Sequence, residues 1–366
     1  MSMLKFHPSV QSQNAESKVN PLSDPLVDSF GRVHNYVRLS ITDRCNLGCQ
    51  YCRPGNRAEY TSQTDLLTFD DMVAIVNVLA EMGVTKVRIT GGEPLLRPRL
   101  EELVARLGAV SGIRRIGLTT NGLLLASKAR ELRRAGLTDV NISLDSLLPE
   151  RYAQITRGGD LGRVLDAIEA CFEAGFETLK LNVVLMQGVN DDEIESFLRL
   201  TLNYPLQIRF IEYMPVGMQQ EGWNAKYMPL EGILAQCAKR EWNARLVEPA
   251  DSLSNLSFCG AADDAGPAKY YRISGAAGEF GLINPVSEHF CMACNRLRIT
   301  ANGYVKPCLY WNDEWDLKPF IGNDERLRQV IRQSLEAKPQ RHEMIVQPSH
   351  KPSQHVMLRQ MSQIGG

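Results

Sequence analysis

Tyr36-Val-Arg-Leu-Ser-Ile-Thr-Asp-Arg-Cys45-Asn-Leu-Gly-Cys49-Gln-Tyr-Cys52 begins as a strand and ends as a loop carrying three thiols within eight residues. Its first half, Tyr36–Ile41, is short and rich in β-formers, and the same kind of run returns down the chain. Strands are predicted at Lys86–Thr90, Arg115–Thr119, Val140–Leu144, Thr178–Leu185 and Gln207–Glu212. Between them, Phe69–Met82, Leu100–Val110, Leu124–Ala135, Leu161–Ala174 and Asp191–Asn203 carry the apolar period of helices, several opened by Thr or Asp caps. Alternation of this kind predicts parallel strands with helical crossovers. Six units are too few for a closed eight-stranded ring, so the expected fold is α/β, a partial (β/α)6 TIM-like barrel.

Chemistry in such a fold collects at the C-terminal ends of the strands. Arg88, Thr90, Gly91–Pro94, Thr119–Gly122, Ser143–Ser146 and Met214 all fall at or just past predicted ends. After Met214 the pattern turns to short strands, Gly-rich turns and a second cysteine group, which predicts a smaller C-terminal domain. The expected division is a disordered N-terminal tail over 1–35, the barrel over 36–218, the C-terminal domain over 219–357 and a Gly-Gly tail over 358–366.

Forty-one basic against forty-two acidic side chains in 366 residues leave a formal charge of −1, which offers no global attraction to nucleic acid or an anionic membrane. Nine cysteines, an odd number and mostly clustered, argue against a disulfide framework and for a reducing cytoplasm. The first thirty or so residues, with Glu16, Asp24 and Asp28, lack the Arg-rich pattern of a transit peptide and read as a floppy tail. No stretch has the apolar length to span a bilayer.

Cys45, Cys49 and Cys52 supply one thiolate fewer than an iron-sulfur cluster normally takes. Three ligands on a four-iron cube leave one iron for an outside chelator, and the amine and carboxylate of S-adenosylmethionine suit it. An electron from the cluster would then split the sulfonium and release a 5′-deoxyadenosyl radical. The alternative, a zinc knuckle, wants a fourth Cys or His, which the loop lacks; His34 precedes the strand. Gly91-Gly92-Glu93-Pro94 is either a plain βα turn or a place where backbone approaches a ligand closely. Taken together, the cysteine loop, this turn and the strand Val140–Leu144 resemble the radical S-adenosylmethionine superfamily.

Cys291, Cys294 and Cys308 form a second triplet, so a second open iron is implied, with Arg296 and Arg298 placed to pair with phosphate oxygens. The competing reading is a Cys₃His zinc site completed by His289. The whole pattern resembles the GTP 3′,8-cyclase family, which begins molybdopterin cofactor biosynthesis. The match runs over Tyr36–Met214, resumes over Gly281–Leu309 and returns at Ser362–Gly366.

The resemblance implies two 4Fe-4S clusters, S-adenosyl-L-methionine at the first and GTP at the second, and (8S)-3′,8-cyclo-7,8-dihydroguanosine 5′-triphosphate as product. By motif position it implies that Tyr51, Gly92, Ser143 and Met214 contact S-adenosylmethionine. Arg38, Arg88, Thr119, Lys180, Arg296, Leu297 and Arg298 would contact GTP, and Gly365 and Gly366 would insert into the active site. It further implies an external electron donor, a downstream pyranopterin-forming enzyme and a homodimer. The charges agree, because Arg38, Arg88 and Lys180 sit on otherwise apolar strands and each needs an anionic partner if buried.

Two rival readings are a peptide-modifying radical enzyme with an auxiliary cluster and a non-catalytic iron-sulfur or zinc protein. Arg53 stands where an apolar residue is commoner after a third thiolate. Cys171 and Cys237 are expected in the packing, Cys259 has no assignment, and His342, His350 and His355 lack metal spacing.

Overall fold

The computed structural model describes residues 25–52, 60–176, 179–216, 223–248, 251–253, 266–343 and 359–365. Arg53, Cys259, His350, His355 and Gly366 lie outside the described residues. Six strands follow the expected order: β1 (Tyr36–Ser40), β2 (Lys86–Thr90), β3 (Arg115–Thr120), β4 (Asp139–Ser143), β5 (Leu179–Leu185) and β6 (Leu206–Glu212). Each pairs in parallel with the next. The crossovers carry α1 (Phe69–Glu81), α2 (Leu100–Gly108), α3 (Ala129–Arg134), α4 (Pro149–Thr156), α5 (Leu161–Glu173) and α6 (Ile194–Asn203). Caps form where Thr and Asp predict them: Thr68 and Asp71 make a capping box on α1, and the Asp160 carboxylate accepts the Gly162 N–H at the start of α5.

Two helices differ from expectation. α3 starts five residues late, because Thr120 and Asn121 take the Gly122 and Leu123 amides on their side chains and Leu125 and Lys128 then bond three residues back. α4, absent from the sequence reading, starts with Pro149 at its first position and buries Tyr152 and Ile155.

The later segment does not stand beside this sheet but extends it on both sides. The further strands are β7 (Ala244–Leu246), β8 (Lys269–Ile273), β9 (Glu279–Ile283), β10 (Arg296–Ile299), β11 (Tyr304–Lys306) and β12 (Trp315–Asp316). The order is β12-β11-β10-β1-β2-β3-β4-β5-β6-β9-β8-β7. β10 pairs in parallel with β1 and β9 in parallel with β6, so the parallel part is eight strands wide rather than six. The physical reason is that β1 and β6 would otherwise be bare edges.

The expectation of a floppy stretch through residue 35 also fails for its described part. Leu26 is buried in the core, Val27 bridges Val33, and Asp28, Arg32 and His34 are buried.

Strand parity sorts the side chains. Val37, Leu39, Val87, Ile89, Leu118, Val140, Ile142, Leu181, Ile208, Leu297 and Ile299 are fully buried in the main apolar core. Their strand neighbours of opposite parity carry nearly all the polar and charged groups and face a shared cavity. Cys171 and Cys237 are buried as expected, and burial pushes the Cys171 thiol up to about 12.

Candidate active site

The loop carrying Cys45, Cys49 and Cys52 is held from three sides. The Gly48 and Gln50 amides donate to the carbonyls of Thr156 and Ile155 at the end of α4, both at 3.0 Å. On another side the Gly91–Pro94 turn lies directly on the loop's lead-in: Gly92 N donates to Thr42 O at 2.7 Å and Glu93 N to Arg44 O at 2.8 Å. A Cβ on Gly92 would collide with the Arg44 and Asp43 carbonyls, and one on Gly91, whose φ is +141°, with Thr42. The close approach these glycines permit is therefore between two stretches of the chain's own backbone.

Buried Glu93 ties the turn to the end of β3. Its carboxylate accepts Leu95 N at 3.0 Å, Thr120 Oγ1 at 2.8 Å and Asn121 N at 2.8 Å. Asn121 then reaches Asn46 at 2.8 Å and the Cys45 sulfur at 3.9 Å. Tyr51, between Cys49 and Cys52, donates to Asp145 at 2.7 Å, and burial raises the Asp145 carboxyl to about 6.

None of the eight described cysteines forms a disulfide. Burial, Asp145 and the neighbouring sulfurs of Cys52 and Cys45 hold the Cys49 thiol well above its ordinary range, so three thiolates in this loop call for a bound cation. Among the described residues the one group of three metal-ligand atoms within 4.8 Å of one another is His289, Cys291 and His342. Ligands on one tetrahedral zinc stand roughly 3.8 Å apart. Neither cysteine triplet is gathered that tightly, and Cys294 and Cys308 do not close on His289 as a Cys₃His site would require.

Tyr51, Ser143, Met214, Arg38, Arg88, Thr119, Lys180, Arg296, Arg298, Cys291, Cys294 and Cys308 all line one cavity of about 500 Å³. Two residues expected there are elsewhere: Gly92 lies under the cysteine loop, and Leu297, of opposite parity to its neighbours, is fully buried in the apolar core. Residues the sequence reading missed are Tyr36, Lys86, Arg115, Asn141 and Arg209. The signal was parity, since Lys86 precedes Arg88 by two and Tyr36 precedes Arg38 by two.

Nine basic side chains from seven strands thus face one space: Arg38, Lys86, Arg88, Arg115, Lys180, Arg209, Lys269, Arg296 and Arg298. Asp139 partly offsets them. Arg88 pairs with it directly, Lys180 lies at 3.8 Å and Arg115 at 3.9 Å. Gly117 sits between Arg88 and Asp139 in register, and a Cβ there would lie 2.6 Å from the Arg88 guanidinium. Arg88 also donates to the Tyr36 hydroxyl at 2.8 Å.

A positive excess remains. Burial, reinforced by Arg38 and Arg296, holds Arg298 well below the usual guanidinium range. Burial alone would raise the Tyr36 hydroxyl, but Arg88, Arg38, Lys86 and Arg296 outweigh it and bring it to about 7. Burial likewise opposes ionisation of Cys294, yet Arg296 and Lys338 lower that thiol to about 6. Among the described residues Thr119 Oγ1 and Asn141 Oδ1 are buried without a hydrogen-bond partner, side by side in register on β3 and β4. Crowded cations and orphaned polar atoms are the marks of a site shaped for a polyanionic ligand with further polar groups.

The tail reaches the same site. The helix Met361–Ile364 packs against Tyr310, and the Gly365 carbonyl accepts Arg38 Nε at 2.9 Å and Arg298 Nη1 at 2.8 Å. Gly365 has φ +69°, and a Cβ there would meet Thr90 Cγ2 at 2.5 Å.

Residues 39–201 match the Radical SAM superfamily model, and residues 206–344 match the Molybdenum Cofactor Synthesis C model. The chain is 47% identical over 346 residues to a GTP 3′,8-cyclase of Listeria monocytogenes serovar 1/2a, covering 93% of this chain and 99% of that one. It is 44% identical to one of Lactiplantibacillus plantarum, covering 94% and 100%. A solved structure of Streptococcus suis SuiB bound to S-adenosylmethionine shares the fold at TM-score 0.54 and 16% identity, covering 78% of this chain and 64% of that one. By sequence along nearly its whole length, the chain belongs to the GTP 3′,8-cyclase family of the radical S-adenosylmethionine superfamily.

Proposed function

We propose that this chain is a GTP 3′,8-cyclase that converts GTP to (8S)-3′,8-cyclo-7,8-dihydroguanosine 5′-triphosphate, the first step of molybdopterin cofactor biosynthesis. The observation that carries the reading is the single cavity into which nine strand-borne cations, the second cysteine triplet and Tyr51 of the first loop all face. The donor set of Cys45, Cys49 and Cys52 fits a three-ligand 4Fe-4S cluster, and Cys291, Cys294 and Cys308 fit a second. With its cluster and S-adenosylmethionine bound, the first loop supplies a 5′-deoxyadenosyl radical.

The remaining work falls to side chains of this chain. Arg38, Arg88, Lys180, Arg296 and Arg298, joined by Lys86 and Arg209, hold the triphosphate against the sheet. Thr119 and Asn141 present their unpartnered polar atoms to the nucleoside. Tyr51, Ser143 and Met214 lie on the S-adenosylmethionine side of the cavity, and the apolar layer beneath the sheet keeps bulk water from the floor. Gly365, pinned by Arg38 and Arg298, brings the tail to the nucleotide. Family resemblance supports an external electron donor, a downstream pyranopterin-forming enzyme, a homodimer, a cytoplasmic setting and the division near residue 218. No helix among the described residues is long and apolar enough to cross a membrane.

The test is anaerobic reconstitution followed by incubation with a strong reductant, S-adenosylmethionine and GTP. Deoxyadenosine formation coupled to loss of GTP is expected. Deoxyadenosine without nucleotide consumption would remove the cyclase reading.

A further inference from the structure

Arg32 lies in neither cysteine loop, yet its guanidinium ends against one. The buried Asp28 carboxylate aims it: Oδ1 accepts the Phe30 and Arg32 amides at 2.9 and 3.1 Å, and Oδ2 accepts Arg32 Nε at 2.5 Å. His34 Nε2 lies 2.9 Å from the same Oδ2. The far end of Arg32 then donates three more bonds. Nη1 reaches the carbonyl of Cys291 at 2.8 Å and of Gln340 at 3.0 Å, and Nη2 reaches Pro339 O at 2.9 Å. With 5% of its side chain exposed, this arginine has no solvent role to play.

What Arg32 grips on the far side is a short segment that itself touches the cysteine sulfurs. Lys338 Nζ lies 3.6 Å from Cys294 Sγ and donates to Arg296 O at 2.9 Å. A ring nitrogen of His342 lies within 4.8 Å of the Cys291 sulfur, and the ring packs against His289 and Tyr310. Donors and positive charge beside ligating sulfurs favour the more electron-rich state of a cluster, and so raise its potential. Segment 338–342 thus lies against the second triplet, and Arg32 bonds it to a ligand residue.

We propose that Arg32, aimed by Asp28, is a positioning residue for the second cluster, pinning segment 338–342 against Cys291 and Cys294 and thereby holding up that cluster's reduction potential. The inference rests on the second cluster proposed above.

The test uses the full reconstituted chain. Iron and sulfide are counted, the second cluster is titrated by electron paramagnetic resonance, and hydrogen exchange is followed at residues 338–342. In R32Q the second midpoint should become more negative, and exchange at that segment should accelerate about tenfold or more as three hydrogen bonds are lost. The first cluster's response to S-adenosylmethionine should be unchanged, and R32K should recover part of both effects. K338M, which leaves Arg32 in place, should lower the same midpoint without faster exchange, and it decides the matter if R32Q fails to retain the cluster. Wild-type midpoints in both variants with unchanged exchange in R32Q would overturn the proposal. A wild-type chain that holds only one cluster would instead overturn the reading on which it rests, while the exchange measurement would still report on the clamp.

Discussion

Asp139 carries the electrostatic balance of the cavity floor. It is the carboxylate facing Arg88, Lys180 and Arg115, and those charges, Arg88 foremost, hold it well below the usual carboxylate range against the pull of burial. Asp139→Asn removes the buried carboxylate that these buried cations share, at a cost of about 3–5 kcal/mol. Thermal melting of the nucleotide-free D139N protein should fall accordingly, while added GTP should raise its melting point by more than it raises that of the wild type. An equal rise would refute the compensation. Sequence alone showed that Arg38, Arg88 and Lys180 needed an anion, but not that one was built in, because Asp139 meets Arg88 across Gly117 only once three strands are in register. Lys86 and Arg209 were legible by parity and were overlooked. His34 offers a second check. Burial and the Lys338 charge, outweighing Asp28, lower it from 6.5 to about 4. A base so depressed takes up its proton more readily in the unfolded chain, so stability is lost as pH falls from about 6.5 towards 4, by at most roughly 3 kcal/mol. His34→Gln should flatten that limb, read from urea midpoints at pH 7.5 and pH 5.

Among elements, the strands and most helices were readable because apolar period and caps agree within each segment. α4 was not, since an eight-residue helix with Pro149 at its start carries only two large buried apolar residues, Tyr152 and Ile155, too few for a period. It matters to the site all the same, for its last carbonyls bind the Gly48 and Gln50 amides. The Gly91–Pro94 turn was recognised as special, but its glycines serve a backbone-to-backbone contact that no local pattern reveals. Gly92→Ala should therefore displace the Arg44 carbonyl and the loop behind it. Reconstituted G92A should hold about half the iron of the wild type, losing the S-adenosylmethionine-responsive signal and keeping the other. Loss of both signals together would mean that the turn supports the whole fold instead.

At the scale of the molecule, one sheet joins segments that the sequence separates. The tail is one such meeting: the carbonyl of Gly365 sits between Arg38 of β1 and Arg298 of β10, strands that are neighbours in space and 260 residues apart in the chain. Deleting Gly365 and Gly366 should abolish GTP cyclisation with iron content and both cluster spectra unchanged, and wild-type turnover by the shortened chain would refute the tail's role. That residues after Met214 would complete this sheet was not legible, because a short strand reads alike whether it founds a new layer or borders an old one. The pairing of β1 with β10 and of β6 with β9 has a consequence for biosynthesis. A nascent chain emerging from the ribosome has its six central strands long before either bordering strand exists, so both flanks stay open to other molecules while translation continues. A polypeptide ending at residue 216 should accordingly precipitate or be captured by chaperones, and recovery of that fragment as a soluble, cooperatively melting monomer would show that the flanks need no such protection.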